Sequence, residues 1–263
     1  MQCTVLGSAG SYPAPSRACS SYLITATGTS VLLDAGNGSM ANLYAVTSPS
    51  RLDAVVLTHG HVDHFADFVG IYHYRTYAET PPRKLVLIAP DDVIERLGHL
   101  ITDSSLRERV EVVTCESRDE LEIGGVRVSW ARVDHPVPCY GVRLEDMSDG
   151  STLAYSADSG PCDALGNLAA EVDLFICEAT WLRRTERHPM GLHLGVADAL
   201  EVGRKAMTDR VVLTHVAYPQ SPEQADEVAR ECAMGQSYCV ANDLMVYDTD
   251  RAIPDRSVFG PPH

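Results

Sequence analysis

The amino-acid sequence predicts a four-layer α/β/β/α domain, with two β-rich layers at its centre and helices on both outer faces. Three observations predict this fold class. Short runs rich in β-branched residues, several of them closed by glycine, are typical of strands. Helical patterns alternate with such runs in both halves of the chain. No composition break marks a linker, so residues 1–250 are predicted to form one domain and the Pro- and Gly-rich residues 251–263 a loose tail.

The first part of the chain is predicted to be mainly strands. Runs at 3–7, 21–28 and 29–36 each end in glycine after β-branched residues. The run 52–59 is apolar almost throughout, as expected for a strand that is buried on both faces. Apolar residues at helical spacing then predict a single helix over 64–80.

The rest of the chain continues the alternation of strands and helices. The predicted elements are strand 84–90, helix 91–101, strand 110–115, hairpin 121–133 turning at Gly124 and Gly125, hairpin 140–158, helix 163–172, strand 173–180, helix 194–207, strand 209–216, helix 221–235 and a last ordered segment 239–248.

Composition limits the function classes. The net charge is -15, and no basic run is present, so a long nucleic acid is not an expected partner. A small anionic substrate is still allowed if a metal supplies positive charge. No apolar stretch is long enough to span a membrane, and the N-terminus lacks the pattern of a signal peptide. The eight cysteines include no C-x-x-C pair, so we expect reduced thiols and a cytoplasmic protein.

The segment LTHGHVDH, residues 57–64, carries the strongest chemical signal. It begins where a predicted buried strand ends, which is where α/β proteins gather ligands. His59 and His61 point the same way in an extended segment and can bind one metal. Asp63 and His64 enter the next helix and can bind a second metal, since paired hydrolytic metals lie about 3.5–4 Å apart.

Three other predicted strands end in a residue that can bind a metal. His135 follows the hairpin 121–133, while Asp158 and His215 follow two further strands. Each of these residues alone is more often structural, but the pattern H-x-H-x-D-H has no ordinary structural use. Imidazole and carboxylate ligands together suit two divalent ions, zinc first and manganese or iron as alternatives. The sequence therefore predicts a metal site made from strand ends.

At these residues the sequence resembles the metallo-β-lactamase-fold superfamily, over nearly the whole chain. The resemblance implies a four-layer αββα sandwich and a dinuclear site in which a hydroxide lies between the metals. It assigns His59, His61 and His135 to one metal, Asp63, His64 and His215 to the other, and Asp158 to both. Asp34, in the segment LLDAG, is implied to support the site without being a ligand.

Several segments resemble the ribonuclease Z-like branch of that superfamily: LGSAGSYPAPSRACSSYL, HPVPCYGVRLE, YSADSGPCDAL and EAT. His193 matches a histidine that acts on the phosphate in phosphodiesterases of this branch. Glu178 would orient it, although a solvated carboxylate at a strand end is an equally good interpretation. The chain departs from the branch at Gly195, where threonine is usual, and at Ala157, where glycine is usual.

The branch members that process transfer RNA carry a long basic arm between the third and fourth motifs. Here His135 and Asp158 are only 23 positions apart. The resemblance is therefore to the small-molecule phosphodiesterases, which cleave cyclic phosphodiesters. It predicts attack by a metal hydroxide, with His193, Asp63 and Glu178 as the catalytic residues, and it implies a homodimer.

Two alternatives remain open from the sequence. The same fold hydrolyses lactones, thioesters and other carboxylic esters, reactions that need no histidine facing a phosphate. A binding module with a structural metal is the other, but seven candidate ligands leave open positions that a closed structural shell lacks. His73, His99 and His188 are not expected to be ligands. The arginines of the loop 182–192 either reach a phosphate or, as is commoner, are solvated.

Overall fold

The computed structural model describes residues 1–78, 84–102 and 106–250, so the predicted tail, 251–263, lies outside the described residues. The strands in chain order are β1 (Gln2–Gly7), β2 (Ala9–Gly10), β3 (Ser21–Ala26), β4 (Thr29–Leu33), β5 (Ala54–Val56), β6 (Leu85–Ala89), β7 (Val110–Thr114), β8 (Glu120–Ile123), β9 (Val126–Arg132), β10 (Tyr140–Asp146), β11 (Thr152–Tyr155), β12 (Leu174–Glu178), β13 (Val211–Thr214), β14 (Val216–Ala217), β15 (Tyr238–Val240) and β16 (Val246–Asp248).

The helices lie between these strands. They are α1 (Ser39–Val46), α2 (Val62–Phe65), α3 (Phe68–Tyr77), α4 (Asp91–Leu100), α5 (Leu106–Arg109), α6 (Asp163–Leu168), α7 (Val196–Lys205) and α8 (Pro222–Cys232), with a 3₁₀ turn at Pro49–Arg51. Across the described residues, each helix is too short or too polar to pass through a bilayer.

Two seven-stranded sheets form the centre of the described structure. Their strand orders are β16-β1-β3-β4-β5-β6-β7 and β15-β13-β12-β11-β10-β9-β8. Each sheet has an antiparallel part followed by three parallel pairs, β4 to β7 in one and β11 to β13 with β15 in the other. The parallel strands matter for function because their carboxyl ends define one edge of each sheet.

The buried side chains form two clusters, which fits the predicted layers. One cluster joins the two sheets and includes Tyr22, Trp130 and Phe175. The other lies between the first sheet and its helices and includes Phe68 and Tyr72. The four-layer α/β/β/α architecture predicted from the sequence is confirmed.

Local sequence explains where several elements begin and turn. Helix α8 starts with a capping box, in which Ser221 Oγ accepts from the backbone N–H of Gln224 and the Gln224 side chain accepts from the N–H of Ser221. Pro222 occupies the first helical position, where its missing N–H costs nothing. The hairpin of β8 and β9 turns at Gly124 and Gly125 as predicted, with φ of 58° at Gly124.

The prediction of one helix over 64–80 is wrong in its continuity. The structure has α2 and α3 instead, separated at residues 66 and 67. The backbone N–H of Asp67 donates to the carbonyl oxygen of Ala35, and its carboxylate accepts from the N–H of Met40. These tertiary hydrogen bonds hold the break next to the site. Residues 79 and 80 lie outside the described residues.

The last ordered segment, 239–248, is also divided. Its two ends belong to different sheets, β15 in the second and β16 in the first. The backbone turn between them is fixed by Asp243, whose carboxylate accepts from Ser8 and from the N–H of Ala18. The structure contains no disulfide, and all eight cysteines are free thiols, as predicted.

Candidate metal centre

The predicted ligands meet at one edge of the two sheets, at the carboxyl ends of four strands. The segment LTHGHVDH follows β5, and the other candidate ligands follow β9, β11 and β13. The first group consists of His59, His61, His135 and Asp158, and the second group consists of Asp63, His64, Asp158 and His215. Within each group the candidate ligand atoms lie within 4.8 Å of one another. All seven predicted residues are therefore brought together, with Asp158 common to both groups.

Three imidazole nitrogens converge in the first group. Nδ1 of His61 lies 3.1 Å from Nε2 of His59 and 3.2 Å from Nε2 of His135. Oδ2 of Asp158 lies 3.7 Å from the same nitrogen of His59. His59 is fully buried and His135 nearly so. The three rings thus present one nitrogen each to a common point.

The second group brings two imidazoles against two carboxylates. Nε2 of His64 lies 3.3 Å from Nε2 of His215 and 3.2 Å from Oδ1 of Asp158. Oδ2 of Asp63 lies 3.4 Å from Nε2 of His215. The side chain of Asp63 is the most exposed of the group, at 11%, compared with 3% or less for the others.

The donors and acceptors of the centre fit metal ions. Nδ1 of His64 donates to Asp34 at 2.7 Å, and Nδ1 of His135 donates to the carbonyl oxygen of Leu192 at 2.9 Å. A ring whose proton is on Nδ1 presents an unprotonated Nε2. Oδ1 of Asp158 is buried and has no hydrogen-bond partner. Lone pairs that face one another in a buried cluster need a cation, and neutral imidazole with carboxylate is the ligand set of a divalent metal.

The pKa shifts agree with this charge pattern. Burial, which is the largest influence, lowers the pKa of His59, His61 and His135, so these rings are neutral as metal ligands must be. Burial also opposes a charge on His64, but Asp158, Asp34 and Asp63 outweigh it and raise the pKa of His64 well above its ordinary value. The carboxylates that favour a proton on His64 favour a metal cation in the same way.

Asp34 lies behind the second group and not among the ligand atoms. Its fully buried carboxylate accepts from the N–H of Thr58 at 2.8 Å, from Nδ1 of His64 at 2.7 Å and from the hydroxyl of Tyr155 at 2.8 Å. The Thr58 hydroxyl also donates to it, at 3.0 Å. Four donors hold this carboxylate, so it can fix the orientation of His64.

His193 and Glu178 form a pair beside the ligands. Nδ1 of His193 donates to Oε1 of Glu178 at 2.9 Å, and the same nitrogen lies 3.9 Å from Oδ2 of Asp158. Glu178 is fully buried at the end of β12, where it also accepts from the N–H of Ser159 and from Thr180. A solvated strand-end carboxylate, the alternative for Glu178, is therefore wrong.

Two arginines of the loop 182–192 form ion pairs with residues outside the ligand groups. Arg183 forms an ion pair with Glu231, and Arg184 forms a two-pronged one with Asp198, at 2.8 and 3.1 Å. His188 stacks on Trp181 with ring centroids 4.3 Å apart and is not among the ligand groups. The interpretation of this loop as a solvated surface segment is the one that the contacts favour.

Sequence reasoning missed three residues that hold the site. Tyr155 and the hydroxyls of Thr58 and Thr180 bind the buried carboxylates or the ligand rings. The threonines stand immediately before His59 and two residues after Glu178, which was a readable signal. Tyr155 is separated from Asp34 by 121 positions and gave none.

Strained backbone also marks the centre. Asp34, Ala157 and His215 have φ of 57°, 53° and 58°, in the left-handed region that residues other than glycine rarely adopt. At Ala157 this conformation explains why glycine is usual there in the branch that the sequence resembles. Strain of this kind persists where the surrounding contacts over-determine it, as they do at functional sites.

Two packed sheets, with candidate histidine and aspartate ligands at their strand ends, are the arrangement of a metallo-hydrolase. A family profile described as the beta-lactamase superfamily domain matches residues 29–216. The chain belongs to this superfamily, and its metallo-β-lactamase-type sandwich is confirmed.

Relatives by sequence cover most of the chain. The uncharacterised protein Rv1339 of Mycobacterium tuberculosis is 34% identical over 249 residues, which is 91% of this chain and 89% of the relative. Ribonuclease Z of Pyrobaculum calidifontis is 30% identical, over 81% of this chain and 86% of the relative. The predicted likeness to ribonuclease Z-like proteins is confirmed.

Solved structures show the same fold. The metallo-beta-lactamase fold protein YhfI of Bacillus subtilis aligns with a TM-score of 0.80 and 24% identity, covering 94% of this chain and 98% of that one. A diphosphatase from the PhnP family aligns with a TM-score of 0.75 and 19% identity, covering 94% and 97%.

Proposed function

We propose that this protein is a dinuclear metal-dependent phosphodiesterase that cleaves a small, cyclic, anionic phosphodiester. The observation that carries the proposal is the position of His193. Its imidazole stands 3.9 Å from Asp158, the carboxylate common to both ligand groups, and is held there by the buried Glu178. A cationic ring at this point can stabilise the charge on phosphoryl oxygens and protonate a leaving alkoxide, and the matching histidine acts on the phosphate in the phosphodiesterases that the sequence resembles.

The chain's own residues account for binding and for proton transfer. The two groups of ligands would hold two divalent ions, zinc first and manganese or iron as alternatives. Such ions, when bound, activate water and polarise a phosphoryl oxygen. Asp63 has the most exposed carboxylate of the second group, so it is the ligand that water and substrate can reach.

His193 is the acid of the proposed reaction. Burial opposes its protonation, but the hydrogen bond and the charge of Glu178, together with Asp158, raise the pKa of His193 to about 9. The ring is then a cation at neutral pH. It can stabilise charge on a phosphoryl oxygen or donate its proton to the leaving alkoxide.

The small size of the substrate is supported by the chain between His135 and Asp158. The strands β10 and β11 pair as a hairpin that occupies residues 140–155, and no room is left there for a long arm. The net charge of -15 disfavours a polyanionic substrate, because binding a phosphate backbone requires clustered Lys and Arg. The relatives named as a ribonuclease and a diphosphatase favour chemistry at phosphorus. As to assembly, we propose a homodimer.

The first test is metal content measured together with a substrate panel. The panel contains bis(p-nitrophenyl) phosphate, 2′,3′- and 3′,5′-cyclic nucleotides, p-nitrophenyl acetate and a lactone. Two metals per chain with diester turnover that a chelator abolishes would support the proposal. Two metals with ester or lactone turnover and no diester cleavage would keep the metal centre and overturn the choice of bond.

A further inference from the structure

Two threonine hydroxyls lie between a buried carboxylate and a ligand histidine, one in each half of the fold. Thr58 Oγ1 lies 3.0 Å from Asp34 Oδ2 and 3.0 Å from Nδ1 of His59. Thr180 Oγ1 lies 2.6 Å from Glu178 Oε2 and 2.8 Å from Nδ1 of His215. Each threonine therefore connects one carboxylate to one ring.

The direction of the hydrogen bonds at Thr180 follows from its single proton. Glu178 is fully buried and accepts from two backbone N–H groups, those of Ser159 and Thr180, which can only donate. A carboxylate has no proton to give, so the Thr180 hydroxyl donates to Glu178. Its oxygen can then only accept from the ring, which places a proton on Nδ1 of His215.

The same reasoning applies at Thr58. The carboxylate of Asp34 is surrounded by donors, so the Thr58 hydroxyl donates to it and accepts from Nδ1 of His59. The first group receives the opposite nitrogen of His59, Nε2, which lies 3.1 Å from His61 Nδ1. In the second group Nε2 of His215 lies 3.4 Å from Asp63.

We propose that Thr58 and Thr180 are positioning residues, one for each metal of the proposed dinuclear centre. Thr58 fixes the tautomer of His59 for the first group, and Thr180 fixes that of His215 for the second. The proposal rests on the proposed function, because it assumes that both groups bind metal. Of the other three rings, two need no such residue, since His64 and His135 donate directly to a carboxylate and to a carbonyl oxygen.

The chain supplies a matched control at Thr214. This threonine is as buried as the other two and directly precedes His215, but its hydroxyl is paired with Tyr22 at 2.8 Å and with no ligand ring. Replacing Thr214 with valine tests the cost of losing a buried hydroxyl near the centre, without changing the tautomer of a ligand histidine.

The experiment compares Thr58→Val, Thr180→Val and Thr214→Val, with serine at the first two positions as rescue. Metal content and affinity are measured by competition with a chromogenic chelator. Each of the first two valine variants should hold one metal about 10–100-fold more weakly than the wild type, as expected for loss of an outer-shell partner. Serine should restore the affinity, and Thr214→Val should leave it unchanged.

Double variants assign each threonine to its metal. On a His215→Ala background, Thr180→Val should add nothing, because the ring that it holds is gone, whereas Thr58→Val should weaken the remaining site in full. If the valine variants keep both affinities, or if Thr214→Val loses as much as they do, the assignment is overturned. A wild-type protein that binds fewer than two metals would overturn the dinuclear function itself.

A second measurement does not depend on how the variants fold. Long-range ¹H–¹⁵N spectra of the metal-free wild type report which ring nitrogen carries the proton. We expect the proton on Nδ1 of both His59 and His215. Finding either ring with its proton on Nε2 alone would overturn the proposal for that threonine.

Discussion

The Nδ1 atom of His193 lies 2.9 Å from Oε1 of Glu178, and Glu178 is closed off from solvent at the end of β12. His193 precedes α7 on a separate segment of the chain, so the pair joins a strand end to a loop. With Nδ1 committed to the carboxylate, Nε2 on the other side of the ring is the nitrogen available to a substrate. The pair thus gives the metal centre an acid whose orientation is fixed by the fold.

Removing the imidazole of His193 should impair diester cleavage without impairing metal binding. We expect His193→Ala to lower the rate of diester cleavage by about 10²–10⁴, the usual contribution of a general acid. Metal content should not change, because His193 belongs to neither of the two ligand groups that share Asp158. The matched control is His99→Ala, an exposed histidine on α4. Full diester turnover in His193→Ala would refute its assignment as the acid.

The pH dependence of turnover should reflect the protonation of His193 beside Glu178. The pKa of His193 in the folded protein, about 9, is above its ordinary value of 6.5, so the stability gained from the charged ring is complete below pH 6.5 and is lost as the pH rises through about 9. Diester cleavage should decline over the same alkaline range. Glu178→Gln removes the charge that raises this pKa, so the decline should begin at lower pH.

The measurement is kcat against pH for the wild type and for Glu178→Gln, with metal content checked at each pH. An alkaline decline that stays in place in the variant would show that another group is responsible for it. A decline that follows the loss of metal would point to the ligands instead.

The ligands were predictable because each one stands next to a recognisable strand end. Short apolar runs precede the segment LTHGHVDH, His135, Asp158 and His215, and strands that run in the same direction bring such positions to one edge. The partners that fix the ligands were not predictable in this way. Asp34 and Tyr155 meet only because the first and second sheets pack face to face, and no local pattern encodes that contact.

The wrong prediction of a continuous helix over 64–80 has the same physical origin, a contact with a distant part of the chain. The helix expected over 64–80 breaks where Asp67 binds a distant strand end. Hydrophobic periodicity describes one element at a time, whereas Asp67 is held by a hydrogen bond to a second segment of the chain.

The hydroxyl of Tyr155 should contribute more to stability than that of its neighbour Tyr22. The two rings pack with centroids 4.9 Å apart and are equally buried, but Tyr155 donates to the Asp34 carboxylate and Tyr22 pairs with a neutral hydroxyl. We expect Tyr155→Phe to cost about 1.5–3 kcal/mol and Tyr22→Phe about 0.5–1.5 kcal/mol in the free energy of unfolding. Urea titration of both variants measures the difference. Equal costs would mean that Asp34 does not depend on this donor.

The backbone of Gly10 in β2 lies directly against His215. A Cβ atom at Gly10 would lie 2.4 Å from the carbonyl oxygen of His215 and 2.6 Å from its Nδ1, closer than real contacts allow. Gly10 is held there by the pairing of β2 with β14, so both the backbone and the ring of His215 have to move. We expect Gly10→Ala to shift His215 and weaken one metal by about 10-fold or more.

The matched control is Gly98→Ala on the exposed face of α4, where an added Cβ meets nothing within 4 Å. Because alanine favours a helix over glycine, this variant should be more stable by about 0.5–1 kcal/mol and should keep both metals. Chelator competition and urea unfolding on both variants separate the two effects. If Gly10→Ala retained both metals at wild-type affinity, the close approach of β2 would be a packing feature with no influence on metal binding by His215.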